Sequence, residues 1–416
     1  MATFKEYKLG DIADIVVSNV DKKTTPNQKV VKLCNFVDVY HNWAITKNNY
    51  DSFMTATASN EEISKFLLKK GQVAFTKDSE TRDDIGIPAY IAENFSDVVL
   101  GYHTAMVTPD ENIVTGKYLN AFLHSSFIKK YFELNATGSG MRYTLSQQTL
   151  TDIPILTPEL NAQHKIGTLL TNIDRKISLN RQINRKLEQM AKRIYDYWFV
   201  QFDFPNSDGK PYKSSGGKMV YSAELKREIP VGWKVKSIFD GADVIYGFPY
   251  ATEPFDENVE NSKSPYSVIR IRDILENTIS AKTTEESDEK YKTQVGDLLI
   301  GMDGYFHMNF WSRNDDYVNQ RITRIRKTCI STLILYHQIL PFIKFKEEKA
   351  KGSTVGHLSD KDIRQIKVLI PDNKNLSNKF DLILALMMKN RQENVKLSRI
   401  RDRLLPLLMN GQVKVE

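Results

Sequence analysis

The residue types that do chemistry are spread along the chain without a catalytic spacing. The seven histidines stand at 41, 103, 124, 164, 307, 337 and 357, scattered and not at metal-ligand intervals. Gly116-Lys117 and Gly217-Lys218 lack the rest of a phosphate-binding GxxxxGK[ST] loop. No HExxH, strand-linked GxGxxG, G-x-S-x-G elbow or [DN]PP[YF] stretch occurs. Acid pairs such as Glu61-Glu62 and Glu347-Glu348 read as solvated surface. Cys34 and Cys329 are far apart with no CxxC, and read as buried thiols rather than ligands or a disulfide. What remains is hydrogen-bonding chemistry in loops. Thr76-Lys77-Asp78-Ser79-Glu80-Thr81-Arg82-Asp83-Asp84 follows one apolar strand, and Asp303-Gly304-Tyr305-Phe306-His307-Met308-Asn309 follows another. The chain is expected to do no catalysis itself.

The elements that must position these loops repeat. From Ile166, steps of four and three reach Leu170, Ile173, Ile177, Asn180, Asn184, Leu187, Ala191, Ile194 and Trp198. Eight of these ten positions are apolar, the spacing of a coiled-coil seam. A second seam lies 210 residues on: Leu376, Phe380, Ile383, Met387, Asn390, Asn394, Leu397, Arg401, Leu404 and Leu408. Both asparagines recur, and a polar seam residue weakens a helix pair while fixing its register. The helix-pairing candidates are therefore Asn180, Asn184, Leu187, Asn390, Asn394 and Leu397. Two unrelated amphipathic helices, each packing on its own domain, are the alternative.

The repeat extends beyond the helices. Leu145-Ser146 matches Leu358-Ser359, Gly138-Ser139 matches Gly352-Ser353, and Gly71–Phe75 matches Gly296–Ile300. The opening Lys8-Leu9-Gly10-Asp11-Ile12 is set against Lys234-Val235-Lys236-Ser237-Ile238. A period of about 210 to 225 residues is a whole domain plus a helix, not a solenoid unit. The helical segments match better than the globular ones.

In the first globular stretch, Val30–Val39, Gln72–Phe75, Ala89–Ala92 and Ala105–Thr108 read as strands and Lys117–Glu133 as a helix. The fold class is α+β. The expected domains are 1–157, a long helix in 158–204, a linker and second domain in 205–371, and a distal helix with tail in 372–416. Asp203–Ser222, rich in Gly, Pro, Ser and Asp, reads as linker. The distal helix should fray or kink at Pro406 and stop at Asn410-Gly411.

A length of 416 residues, 41% hydrophobic and 26% charged, is ordinary for a globular chain of two to four domains. No run approaches 18 apolar residues, and the start MATFKEYKLGD has no apolar signal core. A cytoplasmic protein with no membrane partner is expected. The net charge of +7 leans toward a polyanion. Segments 159–200 and 372–416 together hold +8, so the globular parts sum to −1. Any nucleic-acid contact there must come from local loop clusters.

Taken together, Lys8–Ile12, Ile155–Pro205, Gly296–Gly304 and Leu404–Gly411 resemble the specificity subunit of type I restriction–modification systems, over essentially the whole chain. Gln72 stands where the second copy of the strand motif has Asp297, and Thr76-Lys77-Asp78 where it has Gly301-Met302-Asp303. The resemblance implies two duplicated mixed α/β target recognition domains separated by two long helices that form an antiparallel coiled coil. Each domain would read half of a bipartite site in double-stranded DNA. The helices would set the gap and dock two modification (methyltransferase) subunits, with restriction (translocase/nuclease) subunits completing the complex. It also implies no cofactor on this chain: S-adenosylmethionine, ATP and Mg2+ belong to the partners, which catalyse adenine N6 methylation and ATP-dependent cleavage.

With that role, the polar loops become candidate DNA contacts, because groove reading needs Arg, Lys, Asn, Ser and His held against base edges. In the first domain these are Lys77, Ser79, Thr81, Arg82, Ser139 and Arg142. In the second they are Asp303, Tyr305, His307, Asn309, Ser353 and His357. Backbone N–H groups of the two glycine turns are suited to phosphates. An ordinary surface turn is the plain alternative for each loop. At the level of the whole chain the alternatives are an enzyme that both reads and cuts, and a coiled-coil scaffold with DNA-binding domains outside restriction–modification.

Overall fold

The computed structural model describes residues 4–140, 142–251, 255–350 and 356–415. It divides into two compact units. One holds the chain up to Leu179 together with Val395 onward; the other is Asn180–Asn394. The division cuts both long helices, Leu160–Tyr195 and Lys374–Met409, so each unit owns half of each.

Each unit is built on the same mixed scaffold. In the first, strands run in the order Ala13–Val17, Thr104–Pro109, Val73–Thr76, Pro88–Ile91, with the short Ala44–Ile45 at the edge. In the second the order is Ala242–Tyr246, Ile322–Lys327, Leu298–Gly301, Met308–Phe310. The central strands are buried on both faces, which is why they read as continuous apolar runs. A second sheet in each unit, Met54–Ala58 with Lys29–Cys34 and Val98–Leu100, or Ala281–Thr283 with Tyr266–Ile269 and Tyr317–Val318, completes the α+β architecture.

The two copies also enter their central strand through the same turn. Gly71 and Gly296 have φ of +98° and +93°, a conformation that favours glycine. In the first unit Gln72 Oε1 accepts the Lys69 N–H at 2.7 Å; in the second Asp297 Oδ2 accepts the Gln294 N–H at 2.7 Å. The Gln72 departure therefore leaves the turn intact. Across the ladder it is matched by a second change. Gln72 donates to Thr108 Oγ1 at 3.0 Å, whereas Asp297 takes a two-point ion pair from Arg326, both contacts at 2.8 Å.

Several local expectations are corrected. The strand read over Val30–Val39 ends at Cys34, where Asp38 reaches back to accept the Asn35 backbone N–H at 2.8 Å and starts the helix Phe36–Tyr40. Lys117–Glu133 is two helices, Gly116–Leu123 and Ser126–Asn135, because Ser125 caps the second through Ile128 N–H. The domain openings correspond as Leu9 with Ile238 rather than Lys8 with Lys234: the Leu9 N–H bonds Ile153 and the Ile238 N–H bonds Ile366. Asp203–Ser222 is ordered rather than a free linker. Asp203 accepts Ser214 N–H at 2.7 Å and Ser214 Oγ at 2.6 Å, and Phe204 packs its ring against Tyr212 and Trp233. Cys34 is buried as read, but Cys329 is exposed.

The distal helix runs through Pro406 to Met409. Proline costs about 3 kcal/mol in a helix interior. Here it faces solvent, where the carbonyl it strands can meet water, while Leu405, Leu408 and Met409 bury themselves in the first unit's core. Gly411, with φ +67°, ends the helix as expected.

All seam positions of both helices are buried or half-buried. In the second unit Asn180 Nδ2 donates to Asn394 Oδ1 at 2.9 Å and Asn390 Nδ2 donates to Asn184 Oδ1 at 2.9 Å. Early residues of one helix meet late residues of the other, so the pair is antiparallel. In the first unit, Ile166 and Leu170 share a core with Leu405 and Leu408 in the same sense. Leu187 packs on the second unit's core and Leu397 is half-buried in the first unit.

Candidate nucleic-acid interface

Beyond the central strand of the first unit, Asp78–Ser79 joins a three-stranded sheet with Arg142–Thr144 and Thr137–Ser139. This small sheet draws the first loop and the Gly138 turn together. Lys77 Nζ reaches Thr144 Oγ1 at 2.9 Å, Ser79 Oγ accepts the Thr81 N–H, and Arg82 lies over the Tyr143 ring at 5.0 Å. Ser139 takes part through its backbone, paired with Arg142. The six first-unit candidates therefore share one neighbourhood.

At its centre is Asp78, a residue read only as part of the loop. Its carboxylate bonds His103 Nδ1 and lies 3.2 Å from Lys77 Nζ and 3.7 Å from Arg142 Nη2. Arg142 Nη2 is also 3.3 Å from His103 Nδ1. Burial alone would raise the Asp78 pKa, but hydrogen bonds from Thr144 and His103 and the Lys77 charge outweigh it and hold the carboxyl below its ordinary value. The side chain of Asp78 is 11% exposed while Arg142 is 65% exposed, so the anion is sunk and the cation stands out.

The second unit repeats the plan. Leu145 N–H bonds the Lys77 carbonyl and Leu358 N–H bonds the Met302 carbonyl, which makes Asp78 and Asp303 equivalent. Asp303 bonds His357 Nδ1 at 2.6 Å and lies 3.2 Å from Arg321 Nη1. Each cluster thus joins one Asp, one His and one Arg, with the origins exchanged, and the first adds Lys77. The residue directly before the neighbouring long strand is His103 in one unit and Arg321 in the other. The small-sheet side supplies Arg142 in one and His357 in the other.

The remaining candidates divide. Tyr305 is 78% exposed and stacks on His307, their rings 6.0 Å apart. Asn309 is not at the loop tip. It lies in the strand Met308–Phe310, donates to the carbonyls of Ile274 and Leu275, and accepts Arg391 Nη1 at 2.9 Å. Its hydrogen-bonding capacity is spent inside the unit. Ser353 lies outside the described residues. Sequence reading missed Tyr143, His103 and Arg321. The last two carry no local signal, since sheet pairing alone brings them to the aspartates.

These loops present exposed guanidinium, imidazole and phenol groups on a fixed frame, the equipment for groove and backbone contacts. Among the described residues, no three or more His, Cys, Asp or Glu side chains gather to hold a metal. No described helix is long and apolar enough to cross a membrane.

The sequence matches the type I restriction modification DNA specificity domain over residues 1–189 and 230–398, and the chain belongs to that family. Among its relatives, it is 24% identical to the specificity subunit of the type I restriction enzyme HindI of Haemophilus influenzae, covering 99% of this chain and all of that one. It is 25% identical to the MjaIX specificity subunit of Methanocaldococcus jannaschii over 86% of this chain and 81% of the relative. The crystal structure of a type I S subunit from M. genitalium shares the fold, with a TM-score of 0.57 at 16% identity, over 98% of this chain and 96% of that one.

Proposed function

We propose that this chain is the sequence-reading subunit of a type I restriction–modification complex, each unit reading one half of a bipartite site in double-stranded DNA. The observation that carries this is the pair of aspartate-centred clusters. One scaffold position, Asp78 or Asp303, is kept in both units while the Arg and His around it change places. Two readers of different sequences need a common frame with different tips.

The chain does no chemistry in this reading. Two modification subunits dock on the paired helices, bring S-adenosylmethionine and methylate adenine N6. Restriction subunits bring ATP and Mg2+ and cleave. The complex works in the cytoplasm, and the helices fix the gap between half-sites. A scaffold outside restriction–modification would explain the helices but not the family membership.

Exchanging residues 230–371 for the matching unit of a relative tests the modular part. Mapping methylated adenines should show one half-site replaced and the other kept. Alteration of both halves would overturn the assignment of one half-site to each unit.

A further inference from the structure

We propose that Asp78 and Asp303 are positioning residues for DNA recognition: each holds a His/Arg pair in place, and neither touches DNA itself. The inference rests on the DNA-reading role proposed above and deepens it.

A carboxylate on a face meant for a polyanion is at first sight a liability, since like charges repel. Its depth resolves this. Asp78 is sunk to 11% side-chain exposure and Asp303 to 27%, whereas Arg142, Arg321 and His357 stand between 55% and 65% exposed and His103 is 35% exposed. Each aspartate lies two residues past the end of a buried strand, Val73–Thr76 or Leu298–Gly301, so the core fixes the backbone that leads into it. The Arg and His side chains come from a different strand and a different loop, and the carboxylate is the one group common to them. Long cationic side chains lose rotamer freedom when they bind, and orienting them beforehand lowers that cost on contact. The carboxylate also cancels one positive charge, which weakens binding to any phosphate backbone and leaves a larger share of affinity to the correct bases.

Simple electrostatics and the positioning role predict opposite signs on cognate DNA. If the aspartates were only stray negative charges, Asp78→Ala and Asp303→Ala would tighten binding to cognate and altered DNA alike. With positioning, each should weaken cognate binding and relax discrimination at one half-site, a different half for each. Binding by the full chain with its modification subunits is measured on four duplexes: cognate, either half altered, and both altered. The cognate preference at the affected half should fall by about tenfold. Binding to the doubly altered duplex should hold or rise, with a salt dependence steeper by about one charge. Asp78→Asn, which keeps an acceptor for His103, should retain part of the preference and guards against a folding defect in the alanine variant. Unchanged preference at both halves, or equal weakening on all four duplexes with a lowered melting temperature, would overturn the positioning role. A wild-type complex that does not distinguish the four duplexes would instead overturn the DNA-reading role beneath it.

Discussion

Asn180 donates its side-chain amide to Asn394 at 2.9 Å, and 210 residues further along Asn390 makes the same donation to Asn184, also at 2.9 Å. The internal repeat equates Asn180 with Asn390 and Asn184 with Asn394. The two bonds are therefore one interaction used twice, as a two-fold axis between antiparallel helices requires. Asn184 further donates to the Met387 carbonyl at 3.0 Å.

This geometry decides which asparagines to change together. Asn184→Leu alone strands Asn390 and should cost about 1–3 kcal/mol. Asn184→Leu with Asn390→Leu removes a complete pair and should restore the melting temperature or raise it, while loosening helix register. Denaturant melts of the singles and the double measure the coupling. Additive losses would show that the two amides do not act as a pair.

The seam was legible because heptad spacing survives in sequence, and Asn180, Asn184, Asn390 and Asn394 all lie where that spacing puts them. Their crossed partnership was not legible: a repeat shows which residues are equivalent, not which ones touch. The same limit hid His103 and Arg321, whose meeting with Asp78 and Asp303 depends on which strand lies beside which. The internal bonds of Asn309 were hidden for the opposite reason. A polar residue near a loop tip reads as exposed until its strand and the Arg391 side chain are in place.

Arg82 and Arg142 should behave differently on DNA. Arg82 rests on Tyr143, while Arg142 is held by the Asp78–His103 group. If either meets a guanine edge, its alanine variant should lose about 1–3 kcal/mol of binding on the cognate site alone. Binding curves on cognate and unrelated duplexes check this, and an equal loss on both assigns that arginine to phosphate.

The second unit's Asp297 side chain is 2% exposed and relies on Arg326. Arg326→Ala leaves that carboxylate buried without its two-point partner and should cost about 3–5 kcal/mol. The double variant Asp297→Gln with Arg326→Thr transplants the neutral pair that Gln72 and Thr108 form in the first unit, and should recover most of the loss. Thermal unfolding of the single and paired variants reads the difference.

Acid should destabilise the chain in two stages. Burial, reinforced by Lys192, lowers the His337 pKa to about 4; burial, reinforced by Arg401 and Lys129, lowers that of His124 to about 3. Unfolded histidine takes a proton near about 6.5. The stability of keeping both rings neutral is thus full above that pH and falls as pH drops toward 4 and then 3. Burial opposes ionisation of Asp362, yet hydrogen bonds from Lys346 and Ser359 bring its pKa down to about 2, so its contribution is lost only below the ordinary carboxylate range. Melting temperature should decline from pH 6.5 downward, and His337→Phe, which keeps a ring against Tyr195, should decline less between pH 7 and 5 than the wild type.

Two units of one chain that read two separate pieces of DNA leave a bipartite methylation pattern. Expressing the chain with modification subunits in cells without other adenine methylation, and sequencing every methylated adenine, tests it most directly. The expected result is one motif made of two short specified blocks with an unspecified gap of constant length between them. A single uninterrupted motif, or methylation without sequence preference, would contradict it.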